Sequence, residues 1–219
     1  HVNDGITADA TEGFDYKEKA AIFRLSVNAD GLDLGNMKQM ADGTEQVLGK
    51  ATVTDTLPAG WEFVPITDAD DAPNYLIFEG NENHGGTRVT AKDTTPDTVP
   101  GLTASFDGAA DGHGPTATFT FGDPSHPLNQ PYVILVKARP TSDTAAEYFS
   151  KNWTVTPAPR NSLNLRTENW MPGVSTHRDV KIDSTILGKS FELKEAGTVQ
   201  WTVDYQPYDF DGKGTRLED

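Results

Sequence analysis

The stretch ATVTDTLPAGWEFV, residues 51–64, puts an acid where a strand should be apolar. Asp55 shares parity with Val53 and Leu57, while Thr52, Thr54 and Thr56 take the other face, so the alternation aims a carboxylate at the core side. Asp is among the side chains least often fully buried. It therefore needs solvent at the strand end or a partner; the bland alternative is a hydrogen-bonded turn residue that shapes TLPAG.

The remaining chemistry-bearing groups do not assemble into a familiar site. The five histidines, His1, His84, His113, His126 and His177, show no i,i+4 pair and lie in loops or at the terminus, so no metal site is expected. DFDGKG (209–214) opens like a calcium loop with Asp209, Asp211 and Gly214, but Lys213 stands at a ligand position. DADDAPN (68–74) reads as a solvated acidic loop. No GxSxG, HExxH or phosphate-cradling glycine motif occurs, so neither an enzyme nor a cofactor is expected. Asn152-Trp153-Thr154 matches a glycosylation sequon by pattern. Of the four tryptophans, Trp153 and Trp201 fall on core-facing parity, whereas Trp170, beside Met171 in ENWMPG, is the aromatic candidate for ligand contact.

The elements that must position these groups are strands. AAIFRLSVNA (20–29) alternates Phe23, Leu25 and Val27 against Arg24, Ser26 and Asn28, the period of a half-buried strand. Similar short runs are WEFVPI, NYLIFE, TRVTAK, LTASFD, TATFTFG, PYVILVKAR, NWTVTP, NSLNLR and RDVKID, separated by loops rich in Gly, Pro, Asp and Asn. The pattern predicts an all-β protein, an antiparallel immunoglobulin-like β-sandwich. Helical hints are confined to 35–49, broken by Gly43, and to a turn or two within 144–151. The long polar loops 80–86, 93–101 and 107–115 are the places where loops carry function.

Composition narrows the partners. Among 219 residues, 33 acidic and 18 basic side chains give a formal net charge of −15, spread along the chain. Such a surface repels phosphates and anionic lipid, which argues against nucleic acid and membrane surfaces. No apolar run approaches the roughly 18 residues of a membrane span. With no cysteine, disulfides and thiolate chemistry are absent. A start at His1 without a signal peptide is expected of a processed chain or a fragment.

One internal echo bears on domain organisation. GTVQWTVDYQP (197–207) lays over KAAIFRLSVNA with Trp201 on Phe23, Val203 on Leu25 and Tyr205 on Val27. The expectation is one complete domain over 1–180, followed over 181–219 by the opening strands of a second, truncated or disordered one.

The succession IFRLSVNADGLDL, ATVTDTLPAGWEFV, PYVILVKARP, NSLNLRTENWMPGVSTHRDVKI and GKSFELKEAGTVQWTVDYQ resembles the immunoglobulin-like domains of Gram-positive cell-surface adhesins of the collagen-binding-A type, found in wall-anchored and pilus-like proteins. It spans most of 11–66 and 130–207; residues 67–129 have no match in it. The resemblance implies an extracellular, wall-associated, non-enzymatic module that displays or binds a host extracellular-matrix protein or glycan, next to similar domains of the same chain. The alternative is a carbohydrate-binding or accessory module of a secreted multidomain enzyme.

The resemblance also implies a partner for Asp55. Many such domains carry a self-formed isopeptide bond between a first-strand Lys and a last-strand Asn, with a buried acid beside them. An apolar site lowers the Lys pKa and raises the Asp pKa, so a neutral amine attacks the Asn side-chain carbonyl while a protonated carboxyl polarises it. Asp55 matches the acid. Asn161 matches the amide better than Asn152, because it shares a face with Leu163 and Leu165. For the amine, the family's spacing lands on Thr11, and the nearby Lys17 and Lys19 share parity with Phe23, Lys17 being placed first. A bulge or shifted register would bring one of them inward; otherwise both are solvated strand-end charges. Lys189 sits at the family's position in the second domain, where its partners would lie beyond Asp219.

Overall fold

The alternation of AAIFRLSV becomes a strand with one buried face, Ala20–Val27, in a computed structural model that describes residues 13–31, 37–39, 41–43, 45–47, 49–67, 72–80, 92–94, 99, 101–110, 112–122 and 128–205. In chain order the strands are β1 (Phe14–Asp15), β2 (Ala20–Val27), β3 (Met37–Gln39), β4 (Glu45–Val47), β5 (Ala51–Thr56), β6 (Trp61–Val64), β7 (Tyr75–Glu79), β8 (Lys92–Thr94) and β9 (Thr103–Asp107). They continue as β10 (Thr116–Phe121), β11 (Tyr132–Pro140), β12 (Trp153–Thr154), β13 (Arg160–Thr167), β14 (Trp170–Asp179), β15 (Asp183–Ser184), β16 (Leu187–Leu193) and β17 (Val199–Tyr205). The helical hint near 144–151 becomes one short helix, α1 (Ser142–Tyr148), whereas 35–49 contributes the small β3–β4 hairpin instead.

Two antiparallel sheets face each other. One runs β1-β2-β11-β7-β8, with β6 also paired to β11; the other runs β14-β13-β5-β10-β9. The core between them takes the inward residues of each, including Phe23, Leu25, Val53, Phe119, Ile134 and Val136, and it is closed at one end by Trp61, Tyr148 and Phe149. Trp61 donates its indole N–H to the Tyr148 hydroxyl at 3.2 Å, so the largest buried ring leaves no orphan donor. The fold is the antiparallel immunoglobulin-like β-sandwich that the strand pattern implied.

Strand β11 is buried on both faces. Its even positions enter the main core, while Val133 and Leu135 join Ile66, Leu76 and Phe78 in a second apolar cluster on the outer face of its sheet. A near-continuous apolar run, YVILV, is what such a strand requires.

Two segments differ from expectation. ENWMPG, absent from the expected strands, enters the edge strand β14 from Trp170 onward, with a register shift between Leu165 and Thr167. Pro172 is tolerated because an edge strand has one unpaired side. Gly173 is required there: its φ is +80°, and a Cβ would stand 2.4 Å from the Leu165 carbonyl oxygen. RDVKID, expected as a last strand, only ends one: β14 stops at Asp179 and the two-residue β15 pairs with β12.

Buried contacts of the sandwich continue past 180. Val180 and Ile182 belong to its core, Ser184 is buried, and the Tyr16 hydroxyl accepts from the Asp183 N–H at 2.8 Å. Beyond β15, β16 and β17 form a two-stranded sheet of their own.

Candidate functional site

Asp55 is 0% exposed and Asn161 4% exposed. Both sit in the sheet β14-β13-β5-β10-β9, where Asp55 lies opposite Ala117 on β10 and Leu163 on β13. Asn161 is two residues from Leu163 on the same face of β13, the diagonal position from which side chains on paired strands still reach each other. The alternation of β5 put the acid inside, and the alternation of β13 put the amide beside it.

The electrostatics follow from that burial. Loss of water pushes the Asp55 carboxyl up to about 7, with the Asn161 amide drawing it part of the way back. The amide N–H is the group that does this, although its approach falls short of a full hydrogen bond to either Asp55 oxygen, and Asn161 Oδ1 is buried with no hydrogen-bond partner. The pair thus has an acid held near neutrality and a polarisable amide carbonyl, which are two of the three groups an amide-forming condensation needs.

The two lysines occupy different surroundings in the turn between β1 and β2. Lys17 is exposed and lines a groove with Glu18, Val64, Thr67 and Lys137 on the outer side of the first sheet. Lys19 is half-buried, has a left-handed backbone at φ +52°, and its ammonium pKa is lowered by burial. Neither enters among the charges that shift Asp55.

Lys189 lies on the exposed β16–β17 hairpin, with its ammonium 4.7 Å from the centre of the Trp201 ring. Trp170 begins β14 opposite Thr167, and its side chain falls outside the described residues, as do His1, His84, His126 and the DFDGKG segment.

Two residues gained roles that the sequence reading did not assign. Asn152 accepts from the Ile186 N–H at 2.6 Å and the Leu187 N–H at 3.1 Å, and donates to the Leu187 carbonyl at 2.5 Å. It clamps the chain where the hairpin leaves the sandwich. Lys137 is buried on β11 and pairs with Glu18 at 2.6 Å. Its parity with Val133 and Leu135 in PYVILVKAR was the available signal.

A groove of about 260 Å³ runs between β2 and β14 over Asn161, lined also by Phe23, Leu25, Arg24, His177 and Arg178. A second, mainly apolar groove of about 330 Å³ continues it and shares Ser26, Leu163 and Thr176.

Searches against family models and against curated proteins returned no match. Among solved structures, the chain is similar to ACE19, the collagen-binding subdomain of the Enterococcus faecalis surface protein ACE, at 9% identity and a TM-score of 0.40, over 76% of this chain and 88% of that one. It is also similar to the keratin 4 binding domain of the surface adhesin Srr-1 of S. agalactiae, at 14% identity and a TM-score of 0.35, over 74% of this chain and 83% of that one.

Proposed function

We propose that this chain is a non-enzymatic adhesive module of a bacterial surface protein, working outside the cell and attached to the wall through the rest of its protein. The observation that supports the reading is the Asp55–Asn161 pair, an acid and an amide buried on neighbouring strands of one sheet. The partner is a host extracellular-matrix protein. The β16–β17 hairpin is read as the first strands of a following domain, because its apolar residues line one exposed face.

Binding to immobilised matrix proteins and to a glycan array tests this. Saturable binding to a matrix protein is expected. Specific sugar binding that disappears in Trp170→Ala would replace the adhesin reading with a carbohydrate-binding module.

A second reading concerns chemistry within the module, and two separate observations favour it: the buried acid–amide pair, and the lowered ammonium pKa of Lys19 in the β1–β2 turn. Lys19 Nζ attacks Asn161 Cγ, the C–N bond to Asn161 Nδ2 breaks, and ammonia leaves with a proton relayed by Asp55. Intact mass decides it: the cross-linked chain is lighter by about 17 Da, the mass of the ammonia lost on acyl transfer. An unmodified mass removes the cross-link and leaves the adhesive reading standing.

A further inference from the structure

When Asp55 is ionised, the three buried oxygens of the Asp55–Asn161 contact are all acceptors, and acceptors cannot satisfy one another. A single proton changes the inventory, because a carboxylic acid O–H can donate to Asn161 Oδ1. With the amide Nδ2 toward an ionised carboxylate, Oδ1 is left without a donor and a charge stays buried without a cation. We propose that Asp55 and Asn161 form a proton-operated tie between β5 and β13: tight while Asp55 holds its proton, and loosened and hydrated through the overlying groove once the proton leaves. The tie belongs to the chain whose Asn161 amide is intact.

The surroundings make the proton the simplest compensation. On β10, Thr116, Ala117 and Thr118 carry no ionisable group. On β13, Arg160 is exposed and paired with Asp179 at 2.7 Å. The core side chains of the opposite sheet, Ala21, Phe23, Leu25, Val136 and Ala138, are uncharged, and the Tyr148 hydroxyl in that core is held by Trp61. The remaining charges are Arg24 of β2 and His177 and Arg178 of β14, all lining the groove over Asn161. None of them lowers the Asp55 pKa, which burial sets at about 7. The groove wall formed by Asn161 and Leu163 therefore changes its packing with pH near neutrality.

The test is a carboxyl-carbon NMR titration of the whole chain together with amide hydrogen exchange corrected for intrinsic rates. The Asp55 carboxyl is expected to titrate near 7, and protection of the β13 amides from Asn161 to Leu165 to fall about tenfold per pH unit of coupling. Asp55→Asn is expected to abolish that pH dependence. The titration uses the unaltered chain, so it decides even if the variant does not fold. An Asp55 midpoint near the ordinary carboxylate value of about 4, or an equal loss of protection in Asp55→Asn, overturns the proposal. A mass deficit mapped to Asn161 overturns it too, because the amide would have been consumed.

Discussion

Strands β2 and β17 carry the same alternation and meet opposite fates. Phe23, Leu25 and Val27 are 5%, 3% and 2% exposed, whereas Trp201 and Val203, which align with the first two, are 56% and 46% exposed. The hairpin places Leu187, Phe191 and Leu193 opposite Tyr205, Trp201 and Val199, so one face of the ribbon is apolar apart from Lys189, which lies opposite Val203. Alternation defines a face, but only a second sheet buries it. In β2 the facing sheet is present; for β16–β17 no facing sheet occurs among the described residues.

The comparison can be broken most strongly by truncating equivalent rings. Phe23→Ala should cost about 3–5 kcal/mol of stability through lost transfer energy and an unfilled cavity. Trp201→Ala should cost no more than about 1 kcal/mol, because the exposed ring loses only its contacts with Phe191 and the Lys189 ammonium. Urea unfolding of both variants checks this, and equal costs would mean that the hairpin is packed after all.

A pH series sharpens the same contrast between packed and unpacked regions. The Asp55 carboxyl has its folded pKa raised to about 7, so between the unfolded value and 7 the folded state holds a proton that the unfolded state has released. Stability from this group is greatest below about pH 4, falls by up to about 1.4 kcal/mol per pH unit as pH rises toward 7, and is level above. Urea midpoints measured from pH 4 to 8 should slope downward in the wild type and flatten in Asp55→Asn.

Smaller effects probe the junction and the surface. Asn152→Ala removes the acceptor for the Ile186 and Leu187 amides, so their hydrogen exchange should quicken while exchange in β2 and β11 stays unchanged. Arg160→Ala, which breaks a solvent-exposed pair with Asp179, should leave the thermal midpoint where it is.

What the sequence disclosed follows a physical division. Period-two runs such as AAIFRLSV and TATFTF were legible because a half-buried strand imprints its two faces on the sequence. The inward acid of β5 and the inward amide of β13 were legible for the same reason. Strand β14 was misread at its start, since Pro172 and Gly173 ordinarily mark a turn and only the bulge opposite Leu165 makes them a strand. The difference between Lys17 and Lys19 was hidden because both lie in a turn whose left-handed residue reverses the simple parity count. The burial of Ile182 was hidden as well: it packs among residues distant in sequence, and no local pattern records that.

The junction at Asn152 has a mechanical meaning. Tension entering through β16 meets the Asn152 amide first, then the two-residue ladder of β12 with β15, and then the Tyr16 hydroxyl on Asp183, before it reaches either main sheet. These few bonds are loaded in sequence, so the junction yields before the sandwich does. A chain pulled from β16 would pay out at this neck while the folded body stays whole.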